Sequence, residues 1–212
     1  MELFLSREDA LSLARELARV PEGKWAADFD DTANLFAESI LPPLNSASGK
    51  NHSYLDLNDY NWPRFWGMPL DQINEIIRQH VVSDSFYQMP LQKDFDMIAK
   101  KLIMKTLVTS RPEWQRPYIR GYMAIKGLPQ FTDVECCNTH EDSHAVRHKE
   151  DVCEEKGIRI FFEDATHHVI RCAKRRTVVF MMNHPWNQGA NDLPTSVIRY
   201  RTYEEVGNML RL

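Results

Sequence analysis

The chain lacks any apolar run approaching the ~18–20 residues that a membrane-spanning helix needs, so no integral membrane protein is expected. It lacks a basic leader followed by an apolar stretch. The opening MELFLSREDALSLAREL puts acids where a signal peptide needs positive charge, and it reads as mature protein. An excess of basic residues is also missing: 26 Lys and Arg stand against 30 Asp and Glu, a formal net charge of −4. That disfavours a binder of duplex nucleic acid, which would show a basic stripe. A small phosphorylated ligand is still allowed, because one phosphate can be neutralised locally by a metal and one or two cations. The four cysteines, Cys136, Cys137, Cys153 and Cys172, form no CxxC and no regular framework, so reduced thiols and a cytoplasmic location are expected. There is no internal repeat and no low-complexity stretch. What remains is 212 residues with 43% hydrophobic and 26% charged content, enough to bury a core as one domain, with or without a modest insertion.

Periodicity organises the rest. Residues 6–20 carry Ala10, Leu11, Ala14, Leu17 and Ala18 at helical spacing, with Ser6 placed as an N-cap and Pro21 and Gly23 as a stop. Trp25-Ala26-Ala27 is a short buried strand that runs into DFDDT. A helix is expected over 33–40, broken by Pro42-Pro43. Residues 45–70 read as loop-rich and aromatic, 69–82 and 91–103 as helices. Further strands are expected at 104–108, 131–135, 159–162, 177–182 and 197–200, with helices at 113–126, 149–156, 165–173 and in the C-terminal TYEEVGNML. Strands alternating with helices predict an α/β, Rossmann-like fold with a mainly parallel sheet flanked by helices. In such sheets the ligand crevice lies at the carboxyl ends of the strands. Three of these strands end there in polar groups: DFDDT, TSRP and Glu163-Asp164.

Each of these segments has a chemical reading and a plainer one. Asp28 and Asp30 would project to the same side if their strand continued, and two close carboxylates repel unless a cation sits between them. Few hard oxygen ligands suit Mg²⁺, although an acidic turn at a strand end is the plainer reading. Thr109 and Ser110 could hold phosphate oxygens, or simply form a turn before Pro112. Lys149 and Lys156 flank HKEDVCEEK, and one of them could offset the charge of a phosphoryl group. Glu163-Asp164 closes an apolar strand as a metal ligand or as a helix N-cap.

The order of these signals, DxD, then Thr/Ser, then Lys, then an acid pair, resembles the haloacid dehalogenase superfamily over roughly residues 24–210. Within it, DFDDTANLF, LNDYNWPRFWGM, DSFYQMPLQKDF with LVTSRP, HKEDVCEEKGIRIFFEDATHHV, and NHPWNQ with VIRYRTYEEV are similar to segments of the 5′(3′)-deoxyribonucleotidases and their bacterial and phage relatives. The resemblance implies a core of 1–33 and 93–212, with an additional N-terminal helix in 1–22, and a small helical cap over 34–92. It implies an Mg²⁺-dependent phosphomonoesterase acting on (deoxy)nucleoside monophosphates. Asp28 would be the nucleophile and Asp30 the acid and base. Thr109 and Ser110 would hold phosphoryl oxygens, and Lys149 would offset charge. Mg²⁺ would lie between Asp28, the backbone carbonyl of Asp30 and Asp164, with Glu163 in support. Cap aromatics including Phe36, Tyr60, Trp62, Phe65 and Trp66 would meet the nucleobase or form the cap's own core.

The sequence departs from the superfamily pattern at Asp31, where many members have glycine, and in having Glu-Asp rather than Asp-Asp. Lys149 precedes Asp164 by fifteen residues, which leaves Lys156 as a rival. Two other readings stand beside the nucleotidase: a phosphatase for another small metabolite or a nucleic-acid 3′-phosphate end, and a non-catalytic binding protein of the same fold. His140, His144 and His148 recur at i, i+4 and i+8 and would share one helix face, as a Zn²⁺ or Ni²⁺ site or as a solvent-facing row. His148 could instead touch substrate. His167-His168 is expected to open a helix, and Asn187 and Arg199 to have structural duty. A homodimer is compatible with all of this.

Overall fold

The computed structural model describes residues 5–20, 24–59, 61–139 and 146–212. After α1 (Arg7–Leu17) comes β1 (Trp25–Ala27), then α2 (Phe36–Ser48), α3 (Trp62–Trp66), α4 (Leu70–Val81), α5 (Asp84–Gln88) and α6 (Phe95–Lys101) before the chain returns to the sheet. From there strands and helices alternate: β2 (Thr106–Thr109), α7 (Arg116–Ile125), β3 (Asp133–Cys136), α8 (Lys149–Glu155), β4 (Ile160–Glu163), α9 (Thr166–Lys174), β5 (Val178–Met182), β6 (Val197–Tyr200) and α10 (Tyr203–Leu210). The sheet order is β3-β2-β1-β4-β5-β6, with every pairing parallel. This is a doubly wound α/β arrangement, and its strand order reverses between β1 and β4.

The strands are short and apolar because both faces of the sheet are covered. Trp25 and Ala27, Ile160 and Phe162, and Val178 and Phe180 point to one face, toward Phe95, Tyr203 and Leu210. Ala26, Phe161 and Val179 point to the other, against Val152, Cys153, Val169 and Cys172 of α8 and α9. Trp25 stacks on Phe162 at 5.9 Å between ring centroids. Burying each such aromatic contributes on the order of 2–3 kcal/mol. The four cysteines are free and buried. Among the described residues, no helix is long and apolar enough to cross a membrane.

The chain leaves the sheet rim and returns to it along one short antiparallel crossing. Leu35 N–H donates to the Pro90 carbonyl and Gln92 N–H to that of Ala33, beside an Asn34–Leu91 bridge. The helices α2 to α5 lie between these points. Here the sequence reading needs two corrections. Pro42 and Pro43 do not break the helix but sit inside α2. Each removes an intrahelical donor, and the burial of Ile40, Leu41 and Leu44 on one face holds the helix across the gap. It ends instead at Gly49, whose φ of 68° fits a left-handed cap. Residues 84–88, given no helix by periodicity, form α5, which buries Phe86.

At the other end of the chain α1 packs against α10 and β6. Ser6 accepts from the Asp9 N–H as its cap, and Arg15 Nε donates to the Met209 carbonyl at 2.7 Å.

Candidate active site

The site lies at the carboxyl ends of β1 and β4, where the strand order reverses. Strand β1 stops at Ala27, so Asp28 and Asp30 are not related by strand alternation, which corrects that expectation. Asp28 N–H still donates to the Phe162 carbonyl at 2.8 Å, which registers Asp28 against β4. Asp31 then takes φ 53°, a left-handed conformation that Asp tolerates better than bulkier residues. That geometry is what a glycine would supply at this position. Asp31 offers something glycine cannot: its Oδ1 accepts the Ala37 N–H at 2.9 Å and caps the first turn of α2.

Lys149, at the start of α8, is 1% exposed. Its Nζ lies 2.8 Å from Asp28 Oδ1 and 2.8 Å from Glu163 Oε2. Lys156 instead pairs with Asp133 and Glu135 beside β3, so of the two lysines it is Lys149 that lies beside Asp28 and Glu163. Glu163 is fully buried. Its other oxygen accepts the N–H groups of Asp164 and Ala165 at 3.2 and 3.0 Å. It therefore braces the turn into α9 with one oxygen and the lysine with the other. Asp164 accepts from Trp186 Nε1 at 2.9 Å, and its carbonyl from Asn187 Nδ2 at 2.8 Å. Asn187 is held in turn by Arg199, whose Nη2 donates to the Asn187 carbonyl at 2.7 Å. These two residues thus have the structural duty expected of them.

Asp28, Glu163 and Asp164 each offer an oxygen within 4.8 Å of the others. Burial raises the Asp28 carboxyl to about 8 against the pull of Lys149. Burial likewise raises Glu163 to about 7 and holds Asp31 well above the usual carboxylate range, with Asp164 adding to the latter. For Lys149, burial works against the charge, and the carboxylates of Asp28 and Glu163 outweigh it, so the ammonium is favoured. Four carboxyl groups are thus buried at this rim, and one buried ammonium pairs with two of them, Asp28 and Glu163. Such a set is stable as anions only with further positive charge. Hard oxygen donors, with Asp28 and Asp164 facing the cleft and Glu163 spent on its own bonds, fit Mg²⁺.

The cleft above this cluster has a volume of about 1320 Å³. The rim of the sheet forms its floor, and one wall comes from the segment between β1 and β2, including Trp62, Ile73 and Arg78. Of the expected contact residues, Asp28, Asp30, Ser110, Lys149, Asp164, Phe36 and Trp62 line it. Two do not. Thr109, the last residue of β2, is fully buried, and its hydroxyl oxygen accepts the Arg111 N–H at 3.3 Å. Trp66 is 2% exposed and packs on Phe65 and His52 inside the helical segment. Phe36 is nearly buried as well, its ring stacked on Trp62 at 6.2 Å. Phe65 packs against the core, and Tyr60 lies outside the described residues.

The Asp30 side chain is not in the acid cluster. It forms a two-pronged pair with Arg111, a residue to which sequence reasoning gave no role although it stands within TSRP. His140 and His144 lie outside the described residues. His148 is extended rather than helical (φ −102°), so the helical row fails at that position, but it does line the cleft. His167 and His168 stand in the first turn of α9, where His168 Nε2 lies 3.1 Å from Ser110 Oγ. His184, also unflagged, spans Tyr54 Oη and the Asp31 carbonyl.

No protein-family model matches the chain, and no curated protein matches its sequence. Solved structures do match it. A protein from Clostridium acetobutylicum named as a predicted phosphatase superposes with a TM-score of 0.62 at 14% identity, over 89% of this chain and 98% of its own. A haloacid dehalogenase-like family hydrolase from Streptococcus pneumoniae gives 0.58 at 13% identity, over 87% and 96%. A Bacillus subtilis protein assigned as a HAD-hydrolase, its structure bound to magnesium, gives 0.54 at 14%, over 89% and 98%. The class that the topology and these likenesses define is the α/β, Rossmann-like fold with a six-stranded parallel sheet flanked by helices. More particularly, this chain has the haloacid dehalogenase fold.

Proposed function

We propose that the protein is an Mg²⁺-dependent phosphomonoesterase that works through an aspartyl phosphate on (deoxy)nucleoside monophosphates. One observation carries the chemistry. Asp28 is a buried carboxylate 2.8 Å from a buried ammonium, beside Asp164, on the floor of an open cleft. An anion can approach a phosphate only where fixed positive charge offsets the repulsion. Asp28 and Asp164, with the Asp30 backbone carbonyl, would hold Mg²⁺. When bound, the ion would supply positive charge to the nucleophile and the phosphoryl group.

The residues then act in sequence. A carboxylate oxygen of Asp28 attacks phosphorus as the bond to the ester oxygen breaks, and Asp30 gives that oxygen its proton. Asp30 next takes a proton from water, whose oxygen attacks the phosphorus of the aspartyl phosphate. Inorganic phosphate leaves, and both aspartates return to their starting state. Lys149 offsets charge on Asp28 and the phosphoryl oxygens. Ser110 offers a hydroxyl to those oxygens, and Thr109 braces the turn beneath. Residues 34–92 serve as a cap. Trp62 and Trp114, which both line the cleft, supply flat apolar surface for a base, and the cleft exceeds the roughly 300–1,000 Å³ of small-ligand sites. The likeness of the nucleophile, cap and lysine segments to those of deoxyribonucleotidases supports that substrate class.

The test is hydrolysis of p-nitrophenyl phosphate and a panel of nucleoside monophosphates and sugar phosphates, with Mg²⁺ or with EDTA. Mg²⁺-stimulated turnover preferring nucleotides, and lost in Asp28→Asn, is expected. Unchanged turnover in that variant removes the nucleophile, and equal rates across the panel remove the nucleotide.

A further inference from the structure

The Asp30 carboxylate is held from one side by a side chain that is itself fixed on every side. Arg111 Nε donates to Asp30 Oδ2 at 2.7 Å and Nη2 to Oδ1 at 2.8 Å, a parallel fork. The third nitrogen, Nη1, donates to Gln115 Oε1 at 2.5 Å. The guanidinium carbon lies 4.4 Å from the centre of the Phe36 ring, and 5.5 and 5.7 Å from those of Phe29 and Phe86. The Arg111 backbone is tied as well, its N–H to Thr109 Oγ1 and its carbonyl to the Asn138 N–H. Arg111 is 4% exposed.

Burying a guanidinium is unfavourable unless it is paired, and the acid that pairs with it is Asp30. The Asp30 side chain keeps 25% of its surface open and lines the cleft. The ring under the guanidinium, Phe36, opens α2 and stacks on Trp62 of the cleft wall. The position of Asp30 is thereby linked to the segment that would contact the leaving group.

We infer that Arg111 is the positioning residue for Asp30, its fork holding the carboxylate where it meets the leaving oxygen of a phosphomonoester. This rests on the phosphatase reading above. In the step it supports, Asp30 enters as the carboxylic acid, having taken a proton from solvent in the open cleft. That proton passes to the ester oxygen as the P–O bond breaks, Asp30 is left as the carboxylate on the fork, and Arg111 keeps its own protons. Lysine cannot replace the fork, because it offers a point charge without two coplanar donors.

The experiment compares two esters. p-Nitrophenolate leaves without a proton, whereas a simple alkoxide does not. If Arg111 acts through Asp30, Arg111→Gln and Arg111→Lys each lower the rate of leaving-group release in a single turnover, with enzyme in excess, by about 100-fold or more on an alkyl phosphate. On p-nitrophenyl phosphate this first-step loss stays within about tenfold, while steady-state kcat falls on both esters because Asp30 also activates the water of the second step, and KM moves little for either ester. Equal first-step losses on both esters, a loss carried by KM, or recovery of both first-step rates in Arg111→Lys would overturn the inference.

A second measurement does not depend on turnover. Melting temperatures of Asp30→Asn, Arg111→Gln and the double variant form a cycle. The double variant is expected to melt no lower than Arg111→Gln alone. Additive losses would mean that the fork is not a coupled unit, and would also overturn the inference. Absence of hydrolysis by the wild type on every ester counts against the phosphatase reading, while this cycle still decides the clamp.

Discussion

Trp186 donates its indole N–H to Asp164 Oδ2 at 2.9 Å. This fixes one oxygen of an acid that faces the cleft from the turn after β4. The indole also lies flat on His184, with ring centroids 4.5 Å apart and 9° between the planes. Groups that orient a metal-binding carboxylate typically matter to affinity by 10–100-fold. Trp186→Phe keeps the stacking surface and removes the donor. It should weaken Mg²⁺ binding about tenfold, measured as the Mg²⁺ concentration giving half-maximal rate and by calorimetric titration. An unchanged Mg²⁺ requirement would show that the hydrogen bond does not tune Asp164.

Lys149 gives the sharpest stability prediction. Its ammonium separates the carboxylates of Asp28 and Glu163, and all three are buried. Above about pH 8 both carboxyls are ionised even at their raised values, and removing the cation they share then leaves uncompensated charge, at a cost of about 3–5 kcal/mol. Lys149→Met should therefore lose about 3 kcal/mol or more in urea unfolding at about pH 9 without Mg²⁺, and recover part of it when Mg²⁺ is added. Turnover should be lost in either condition. A variant as stable as the wild type without metal would show that the acids there are not held as anions by the lysine.

The pH dependence of stability can be read at His184. Its Nε2 lies 2.6 Å from the Asp31 carbonyl, a pure acceptor, so Nε2 carries the proton and Nδ1 accepts the Tyr54 hydroxyl. Burial pushes its pKa from 6.5 down to about 4, and the bond to the carbonyl only partly opposes this. Between those values the unfolded chain binds a proton that the folded chain refuses. The contribution is thus full above pH 6.5 and is lost as pH falls toward 4. His184→Asn should flatten the fall of melting temperature over this window, and an unchanged slope would remove His184 as its source.

Much of this architecture was legible because parallel strands buried on both faces leave short apolar words in the sequence. WAA, IFF and VVFMM each end where the polar rim begins, and DFDDT, TSRP and Glu163-Asp164 mark three of those ends. The N-cap reading of Glu163-Asp164 needs correction: α9 is capped by Ala165 without a side-chain bond, Glu163 instead accepts the N–H groups of Asp164 and Ala165 in the turn before it, and Asp164 lies in the acid cluster. What could not be read are contacts between distant rim loops. The Arg111–Asp30 fork joins residues 81 apart, and Trp186 reaches Asp164 from the loop after β5. An arginine directly after a strand-end Thr-Ser was the available signal for the first. Pro42-Pro43 misled because local propensity was set against a buried face. Trp66 misled because an aromatic-rich segment needs a core of its own before it can offer rings to a ligand.

Asp31 separates conformational demand from charge. Its φ of 53° favours Gly, Asn or Asp, its Oδ1 caps α2, and burial followed by the nearby Asp164 holds its carboxyl well above the usual range. A raised carboxyl pKa means that the ionised form is the destabilising one, so the contribution is full below the normal range of an unfolded aspartate and is lost as pH rises from there through the raised folded value. Asn keeps the left-handed backbone and the acceptor while deleting the charge. Asp31→Asn should therefore unfold at a higher temperature than the wild type at neutral pH without Mg²⁺. Asp31→Ala loses the cap and strains the backbone, each about 1 kcal/mol, and should melt below the wild type. Asp31→Gly relieves the backbone but not the cap and should fall between Asn and Ala. Scanning calorimetry of the three variants orders them, and Asn melting below Ala would show that the carboxylate itself is needed for the fold.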